Sequence, residues 1–179
     1  MPDTSLSGGD HLFLGFLANG PASAYDIKKE MAKSVNFFWS AEHSQVYQQA
    51  ARLQRDGYIE ERGTGPRNRR ILGLTRKGRA ALRSWLTTPA ATYRIYDESL
   101  AKLYFAGFAG GPAAEDLLHD QENQHTLLLA EFERLHGVLA GVDYGDVVPY
   151  QLYTLRLGIE VERAYLRWIG ETLDDLARR

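Results

Sequence analysis

The sequence predicts a mainly α-helical chain that carries one small β-hairpin. Over most of its 179 residues, apolar side chains recur at the three- and four-residue spacing of amphipathic helices. One stretch after residue 57 instead has the short runs and turn residues of two paired strands. The last segment, at about residues 149–177, repeats apolar residues at heptad spacing. These observations favour two domains, one over residues 1–88 and an all-helical one over residues 89–179.

Two short helices are predicted at the start of the first domain. One covers residues 11–17, follows Asp10 as its N-cap and ends before an Asn-Gly-Pro segment. The next begins at Ser23, and Asp26 lies three residues further on, as in a capping box. Residues that favour helix starts therefore mark the beginning of both elements.

A third helix is predicted from about residue 44 to residue 56. Val46, Ala50 and Leu53 repeat at i, i+4 and i+7, so we expect them to form its inward-facing stripe. Gly57 stands where a left-handed glycine ends many helices. The helix is therefore short and amphipathic.

A β-hairpin and a fourth helix complete the first domain. Residues 58–62 and 69–74 have strand character, and the Gly, Pro and Asn residues of 63–68 form the turn between them. Thr75 then caps a helix that runs to Leu86. This order of elements is that of a winged helix-turn-helix domain, whose third helix enters the DNA major groove while the hairpin, or wing, contacts the flanking backbone.

The second domain is predicted to contain helices at about residues 97–109, 113–139 and 149–177. The last helix is ~42 Å long and has two apolar lines, so we expect a second copy of the chain to cover it in a two-fold dimer. The alternative is an intramolecular hairpin with the helix at 113–139. The second apolar line comprises Leu157, Val161, Tyr165 and Trp168. The predicted dimer seam comprises Leu152, Leu155, Ile159, Leu166, Ile169, Leu173 and Leu176.

Charge is unevenly distributed along the chain. The formal net charge is -2, but residues 1–88 hold 13 Lys and Arg against 8 Asp and Glu, and residues 89–179 hold 8 against 15. The first half therefore has a net charge of +5 and the second a net charge of -7, which indicates a nucleic-acid-binding surface on the first half. The alternative is that charge simply varies along the chain, as it does in any protein. No apolar run reaches the ~18 residues of a membrane span and the start lacks signal-peptide features, so we expect a soluble cytoplasmic protein without a membrane partner.

Patterns for catalysis and metal binding are weak. The absence of Cys excludes disulfides and thiolate chemistry. Glu122 with His125, and Glu133 with His136, have the Glu-x-x-His spacing of carboxylate-bridged metal bundles, but the two pairs lie ~16 Å apart on one predicted helix. The sequence contains no nucleophile or phosphate-loop motif. We therefore expect neither an enzyme nor a bound metal or other cofactor.

The face of the third helix opposite its apolar stripe is suited to DNA. It carries Ser44, Gln48, Ala51 and Arg55 and is flanked by Tyr47 and Arg52. The face itself contains no acid, although Glu42 and Asp56 lie on its flanks. Gln can pair bidentately with adenine, whereas Ser and Tyr suit phosphates. A merely solvated helix face usually mixes Glu and Lys instead, so this face favours DNA binding over a simple solvated surface.

The predicted wing is also basic. Residues 63–74 contain no acid, and strand alternation turns Arg67 and Arg69 towards solvent while Arg70 shares the face of Leu72. Arginines at a wing tip suit the phosphate backbone of double-stranded DNA. The complete set of predicted DNA-binding residues is Lys28, His43, Ser44, Gln45, Tyr47, Gln48, Arg52, Arg67, Asn68, Arg69, Arg70 and Lys77.

Four ordered segments carry a family resemblance. They read Gly-Pro-Ala-Ser-Ala-Tyr-Asp-Ile-Lys at 20–28, His-Ser-Gln-Val-Tyr at 43–47, Leu-Gln-Arg-Asp-Gly-Tyr-Ile at 53–59 and Leu-Thr-Arg-Lys-Gly at 74–78. In this order and spacing they resemble the PadR family of bacterial transcriptional regulators. The helical second half resembles, in architecture, the longer members of the phenolic-acid-responsive type.

The resemblance implies a homodimeric winged-helix repressor that binds a palindromic operator and is released by a small effector, such as a phenolic acid. It places Ser44, Tyr47 and wing residues 67–70 at the DNA, but it carries over no effector contact. From residue type and position alone, we expect aromatic residues near the domain junction and a histidine on an apolar stripe to line an effector pocket. The alternative is that the same side chains belong to the core. The alternative function is a winged-helix protein-interaction or adaptor module without operator binding. The expected pocket residues are Trp39, Tyr93, Tyr96, Phe105 and His125.

Overall fold

The chain divides into two compact units, residues 1–92 and residues 93–179. Each unit contains its own set of packed elements. No helix within the described residues is long and apolar enough to cross a membrane. The computed structural model describes residues 6–35, 38–39, 45–90, 97–109, 112–145 and 149–178.

The first unit has the predicted winged-helix order of elements. Its apolar core draws on all of these elements, and Phe13, Leu14, Ile27 and Leu53 are almost completely inaccessible to solvent. The predicted fold class, mainly helical with a small hairpin, is therefore confirmed. The elements are α1 (Gly8–Ala18), α2 (Ala24–Ser34), α3 (Val46–Arg55), β1 (Ile59–Gly65), β2 (Arg69–Leu74) and α4 (Arg76–Thr87).

α1 begins three residues earlier than predicted, because its N-cap is Ser7 and not Asp10. The Ser7 hydroxyl accepts a hydrogen bond from the backbone N–H of Asp10 at 3.2 Å. In return, the Asp10 carboxylate accepts one from the backbone N–H of Ser7 at 2.9 Å. Asp10 is therefore the third residue of the helix, and this reciprocal pair forms a capping box.

Three further predicted cap residues of this unit are confirmed. The Ser23 hydroxyl accepts from the backbone N–H of Asp26 at the start of α2, and Gly57 adopts a φ of 76° after α3. Thr75 caps α4 by accepting from the backbone N–H of Gly78 at 3.1 Å. A Cβ at position 78 would lie 2.1 Å from the backbone oxygen of Tyr58, so only glycine lets α4 start so close to β1.

The hairpin is antiparallel and is joined to the helices by one further backbone pairing. β1 continues three residues further than predicted, because pairing resumes after an irregularity between Glu61 and Gly63 and extends to Gly65. Ala22, just before α2, exchanges two backbone hydrogen bonds with Leu72 of β2, at 3.1 and 2.9 Å. The wing is therefore attached to the start of α2.

The second unit consists of helices within its described residues. α6 and α7 pack along each other, and their shared interior contains Leu118, Phe132 and Ile169. Helices at these places agree with the predicted periodicity. The elements are α5 (Glu98–Tyr104), a 3₁₀ turn (Ala106–Phe108), α6 (Ala113–Ala140) and α7 (Tyr150–Ala177).

The predicted dimer seam lies inside this helix pair. Leu155, Ile159 and Ile169 are already buried in the single chain, and their neighbour along the helix is α6. The remaining seam residues, Leu152, Leu166, Leu173 and Leu176, are half-buried on the same face. In the single chain this line packs on α6, as the alternative of an intramolecular hairpin predicts, and the seam with a second chain stays a prediction.

Three of the four residues in the second apolar line of α7 are exposed in the single chain, whereas Tyr165 is half-buried and stacks on His125. Leu157 is 66% exposed, and Val161 and Trp168 are also exposed. α7 therefore has an apolar face that packs on α6 and another that faces solvent.

Candidate nucleic-acid interface

The outward face of α3 is polar and aromatic. Tyr47 is 55% exposed, and Gln48 and Ala51 are exposed beside it. Arg55 is exposed at the end of the helix, where its Nε donates to Oδ1 of Asp56 at 3.0 Å. Because the opposite stripe is buried in the core, this face is directed outward, as the sequence predicts.

The wing tip presents two arginines to solvent. Arg67 and Arg70 are exposed, and neither forms an ion pair with the described part of the chain. Arg67 and Asn68 have φ angles of 59° and 57°, the left-handed conformation that tight hairpin turns require. For an arginine this conformation costs roughly 1–2 kcal/mol, so the turn holds Arg67 in an unfavourable backbone region at its tip.

Arg69 is held against α2, contrary to the expectation from strand alternation. Its Nη1 donates to Oδ1 of Asp26 at 3.3 Å, and its guanidinium lies 4.0 Å from the centre of the Tyr25 ring. The pairing of β2 with the segment before α2 brings this part of the wing next to the helix. Arg69 is half-buried and Arg70 is exposed, so Arg70 takes the solvent-facing place that was expected of Arg69.

Two further predicted DNA contacts are engaged inside the first unit. The guanidinium of Arg52 forms an ion pair with the buried carboxylate of Asp10. The Lys77 ammonium donates to the backbone oxygen of Asp56 at 2.8 Å, near the end of α3. Lys28 is half-buried on α2. Arg52 and Lys77 therefore make contacts within the fold around α3, which the local sequence does not reveal.

A cavity of about 240 Å³ lies between α2, α3 and the wing. Tyr25, Tyr47, Arg69 and Arg70 lie around it. Sequence reasoning missed Tyr25 as part of this surface, although the family segment at 20–28 contains it. The three elements expected to approach DNA thus meet at one concave surface with two tyrosines and two arginines.

The described effector candidates are found in both units, and the surroundings of each are given within its own unit. Trp39 belongs to the first unit, where its ring covers Gly8 at the start of α1 so closely that a Cβ there would lie 2.4 Å away. Phe105 is 59% exposed at the end of α5, beside a cavity of about 640 Å³ against α6. The predicted site residues outside the described residues are His43, Ser44, Tyr93 and Tyr96.

His125 is a hydrogen-bonded interior histidine of the second unit. Its Nδ1 lies 2.5 Å from Oε2 of Glu162, and its ring stacks on Tyr165 with centroids 4.4 Å apart. The Tyr165 hydroxyl donates to Asp97 at 3.1 Å. Burial raises the pKa of Asp97, but hydrogen bonds led by that of Ser99 outweigh it and hold the pKa below its ordinary value. The described residues contain no cluster of three or more potential metal ligands.

Known proteins match the chain over both units. The transcriptional regulator PadR-like family matches residues 13–84, and the family described as virulence activator alpha C-term matches residues 95–177. The negative transcriptional regulator PadR of Bacillus subtilis is 28% identical over 171 residues, which cover 91% of this chain and 94% of that protein.

Solved structures of the same relative share the fold. The crystal structure of Bacillus subtilis PadR in complex with operator DNA has a TM-score of 0.81 and 26% identity, covering 92% of this chain and 96% of that one. The structure of that protein in complex with p-coumaric acid has a TM-score of 0.77 and 26% identity, covering 94% and 98%.

The core, the cap pattern and the hairpin define a winged-helix fold, and the family match and the named relative place it among transcription regulators. Residues 13–84 form a PadR-like family domain, as the four ordered segments predict. The named relatives are transcriptional regulators, which are not enzymes, and this chain is of the same class.

Proposed function

We propose that this regulator binds a palindromic operator as a homodimer and represses transcription there. The observation that carries the proposal is the outward face of α3 together with Arg67 and Arg70 of the wing, which are exposed and form no ion pair within the described residues. Tyr47 and Gln48 are of the types that contact phosphates and base edges, and Arg67 and Arg70 suit flanking phosphates. The operator complex of the Bacillus subtilis relative and that relative's description as a negative regulator support this assignment.

A small aromatic carboxylic acid is the proposed effector. The complex of the same relative with p-coumaric acid supports this chemical class. The recognition helices of a dimer must lie about one helical turn of DNA, ~34 Å, apart. One conformer of the dimer has this spacing and binds the operator, and another has a different spacing and does not. An acid that binds the second conformer more tightly than the first lowers the affinity for the operator, by at most the ratio of its two affinities.

The proposal is tested with the purified full chain and a labelled duplex from the region upstream of its own gene. A shuffled duplex of equal length and composition is the control. We expect preferential binding to the upstream duplex, with the logarithm of affinity falling by about 0.9 per logarithm of salt for each phosphate neutralised. Adding p-coumaric acid to the complex should release the DNA.

Equal binding to both duplexes, or binding that does not respond to salt, would contradict the operator proposal and favour a protein-interaction module. Release of the upstream duplex by p-coumaric acid, but not by a non-aromatic acid of equal charge, supports the effector class. An upstream complex that persists in saturating p-coumaric acid would contradict it.

The dimer is proposed to form through the second apolar line of α7. Leu157, Val161 and Trp168 lie on one side of the helix and are exposed in the single chain. Together with the exposed Tyr150 and Tyr153, they make an apolar surface of the kind that marks an interface. A two-fold contact would place the same line of each copy against the other.

Val161→Asp is expected to raise the dimer dissociation constant by about 100-fold, because each copy would bury an unpaired carboxylate. Arg167→Asp, on the polar and exposed side of the same helix, is the matched control and should leave the dimer intact. Sedimentation velocity over a concentration series measures both. A Val161→Asp protein that sediments as wild type would contradict the proposed interface.

A further inference from the structure

A buried carboxylate joins α1 to the helix that is proposed to read DNA. Asp10 is 2% exposed, and its two oxygens bind different elements. Oδ2 accepts from the backbone N–H of Ser7 at 2.9 Å and from its hydroxyl at 2.8 Å, and so caps α1. Oδ1 accepts from Nε2 of Gln49 at 3.0 Å and pairs with the guanidinium of Arg52. One side chain therefore fixes both the start of α1 and one edge of α3.

The orientation of α3 depends on such a polar anchor. Within the described residues, the N-cap position of α3 provides no side-chain capping hydrogen bond. The buried stripe of α3 is apolar, and apolar contacts are not directional. Tyr47 and Gln48 project away from the axis of α3. A small rotation of the helix about this axis would therefore displace both side chains across the outward face. Hydrogen bonds have preferred angles, so the bonds to Asp10 oppose this rotation.

The carboxylate of Asp10 is charged at neutral pH. Burial raises the pKa of Asp10, but the hydrogen bonds from Gln49, Ser7 and Arg52 outweigh burial and hold the pKa below its ordinary value. A buried charge is tolerated only when it is paired and hydrogen-bonded. The four donors around Asp10 meet this condition, and two of them come from α3.

We propose that Asp10 is a positioning residue for DNA recognition, which holds α3 through Gln49 and Arg52 so that its outward face meets the operator in one orientation. The inference rests on the proposed operator binding. It assigns Arg52, a residue that the sequence predicts as a DNA contact, to the support of α3. Asp10 and Gln49 then determine specificity without touching DNA.

The test compares Arg52→Met, Asp10→Asn and the double variant in the full chain. The fraction of each protein that is competent to bind DNA is first determined by stoichiometric titration. The affinities for the upstream and shuffled duplexes are then measured and corrected for this fraction. We expect Arg52→Met to lower the preference for the upstream duplex by about tenfold while the salt dependence stays that of wild type. The double variant should bind no more weakly than Asp10→Asn, because both changes remove the same pair.

The salt dependence separates positioning from direct contact. If Arg52 neutralised a phosphate, Arg52→Met would weaken both duplexes alike and lower the salt slope by about 0.9 per protomer, and this outcome would overturn the proposal. The proposal would also be overturned if the affinity loss of the double variant equalled the product of the losses of Arg52→Met and Asp10→Asn. A merely structural role would reduce the active fraction and leave the preference between duplexes unchanged, which counts against the proposal as well.

Gln49→Leu is a second variant that leaves the α1 cap intact and keeps the test decisive if Asp10→Asn does not fold. It should reduce the preference for the upstream duplex as Arg52→Met does. Wild-type protein without such a preference would overturn the proposed function itself. A wild-type preference that survives in Gln49→Leu and Arg52→Met would overturn the role of Asp10 alone.

Discussion

Replacing Arg67 and Arg70 together with alanine is expected to weaken binding to every DNA duplex by at least about 10³-fold. Both side chains are exposed at the wing, and neither is paired within the described residues. The proposed dimer would lose four cationic contacts. Since a hydrogen bond to a charged group contributes about 1.5–3 kcal/mol and about 1.4 kcal/mol is a factor of ten, the combined loss is large.

The wing variant should lower affinity and salt slope together. Upstream and shuffled duplexes should be affected alike, because phosphate contacts position the protein without reading sequence. Arg79→Ala with Arg83→Ala is the matched control, since it removes the same charge from exposed positions of α4. Fluorescence anisotropy across a salt series distinguishes the two. A wing variant that loses only its preference for the upstream duplex would show that these arginines read bases.

The elements of the first unit were predictable because their signals are local. Ser23 caps the helix that follows it, Gly57 adopts the left-handed conformation after α3, and Thr75 caps α4. Each of these depends on a few neighbouring residues. The outward face of α3 was predictable for the same reason, since its apolar stripe determines which residues remain outside.

The partners of the basic residues were not predictable, because they are distant in the sequence. Arg52 pairs with Asp10 and Arg69 with Asp26, more than forty residues away in each case. Residue type and strand alternation give the side of an element on which a cation lies. They do not show whether a folded neighbour already supplies a carboxylate, so residue type alone does not distinguish a cation that contacts DNA from one that is paired within the fold.

The last helix shows a related ambiguity. Two apolar lines are visible in its sequence, and heptad spacing favours as the dimer seam the line that packs on α6 in the single chain. A heptad line fits a neighbouring helix equally well whether that helix belongs to the same chain or to another. Only the packing of α6 on Leu155, Ile159 and Ile169 distinguishes these cases, and it leaves Leu157 and Val161 uncovered.

The heptad line of α7 contains one charged residue, and the structure gives it a partner. Glu162 is 6% exposed, and Oε2 of Glu162 lies 2.5 Å from Nδ1 of His125 on α6. The stacked Tyr165 covers the histidine ring. A buried pair of this kind need not stabilise a fold relative to apolar side chains, but removal of one member strands the other away from water.

His125→Leu is therefore expected to reduce the free energy of unfolding by about 3–5 kcal/mol and the melting temperature by roughly 10 °C. Adding Glu162→Leu should restore most of the loss, because two apolar side chains replace the pair and no carboxylate is stranded. His119→Leu is the matched control, since His119 and Glu122 form an exposed pair on the same helix at 3.3 Å, and it should change stability by about 0.5 kcal/mol or less. Thermal unfolding followed by circular dichroism measures all three. If the double variant were less stable than His125→Leu, the hydrogen bond itself, and not the stranded carboxylate, would account for the loss.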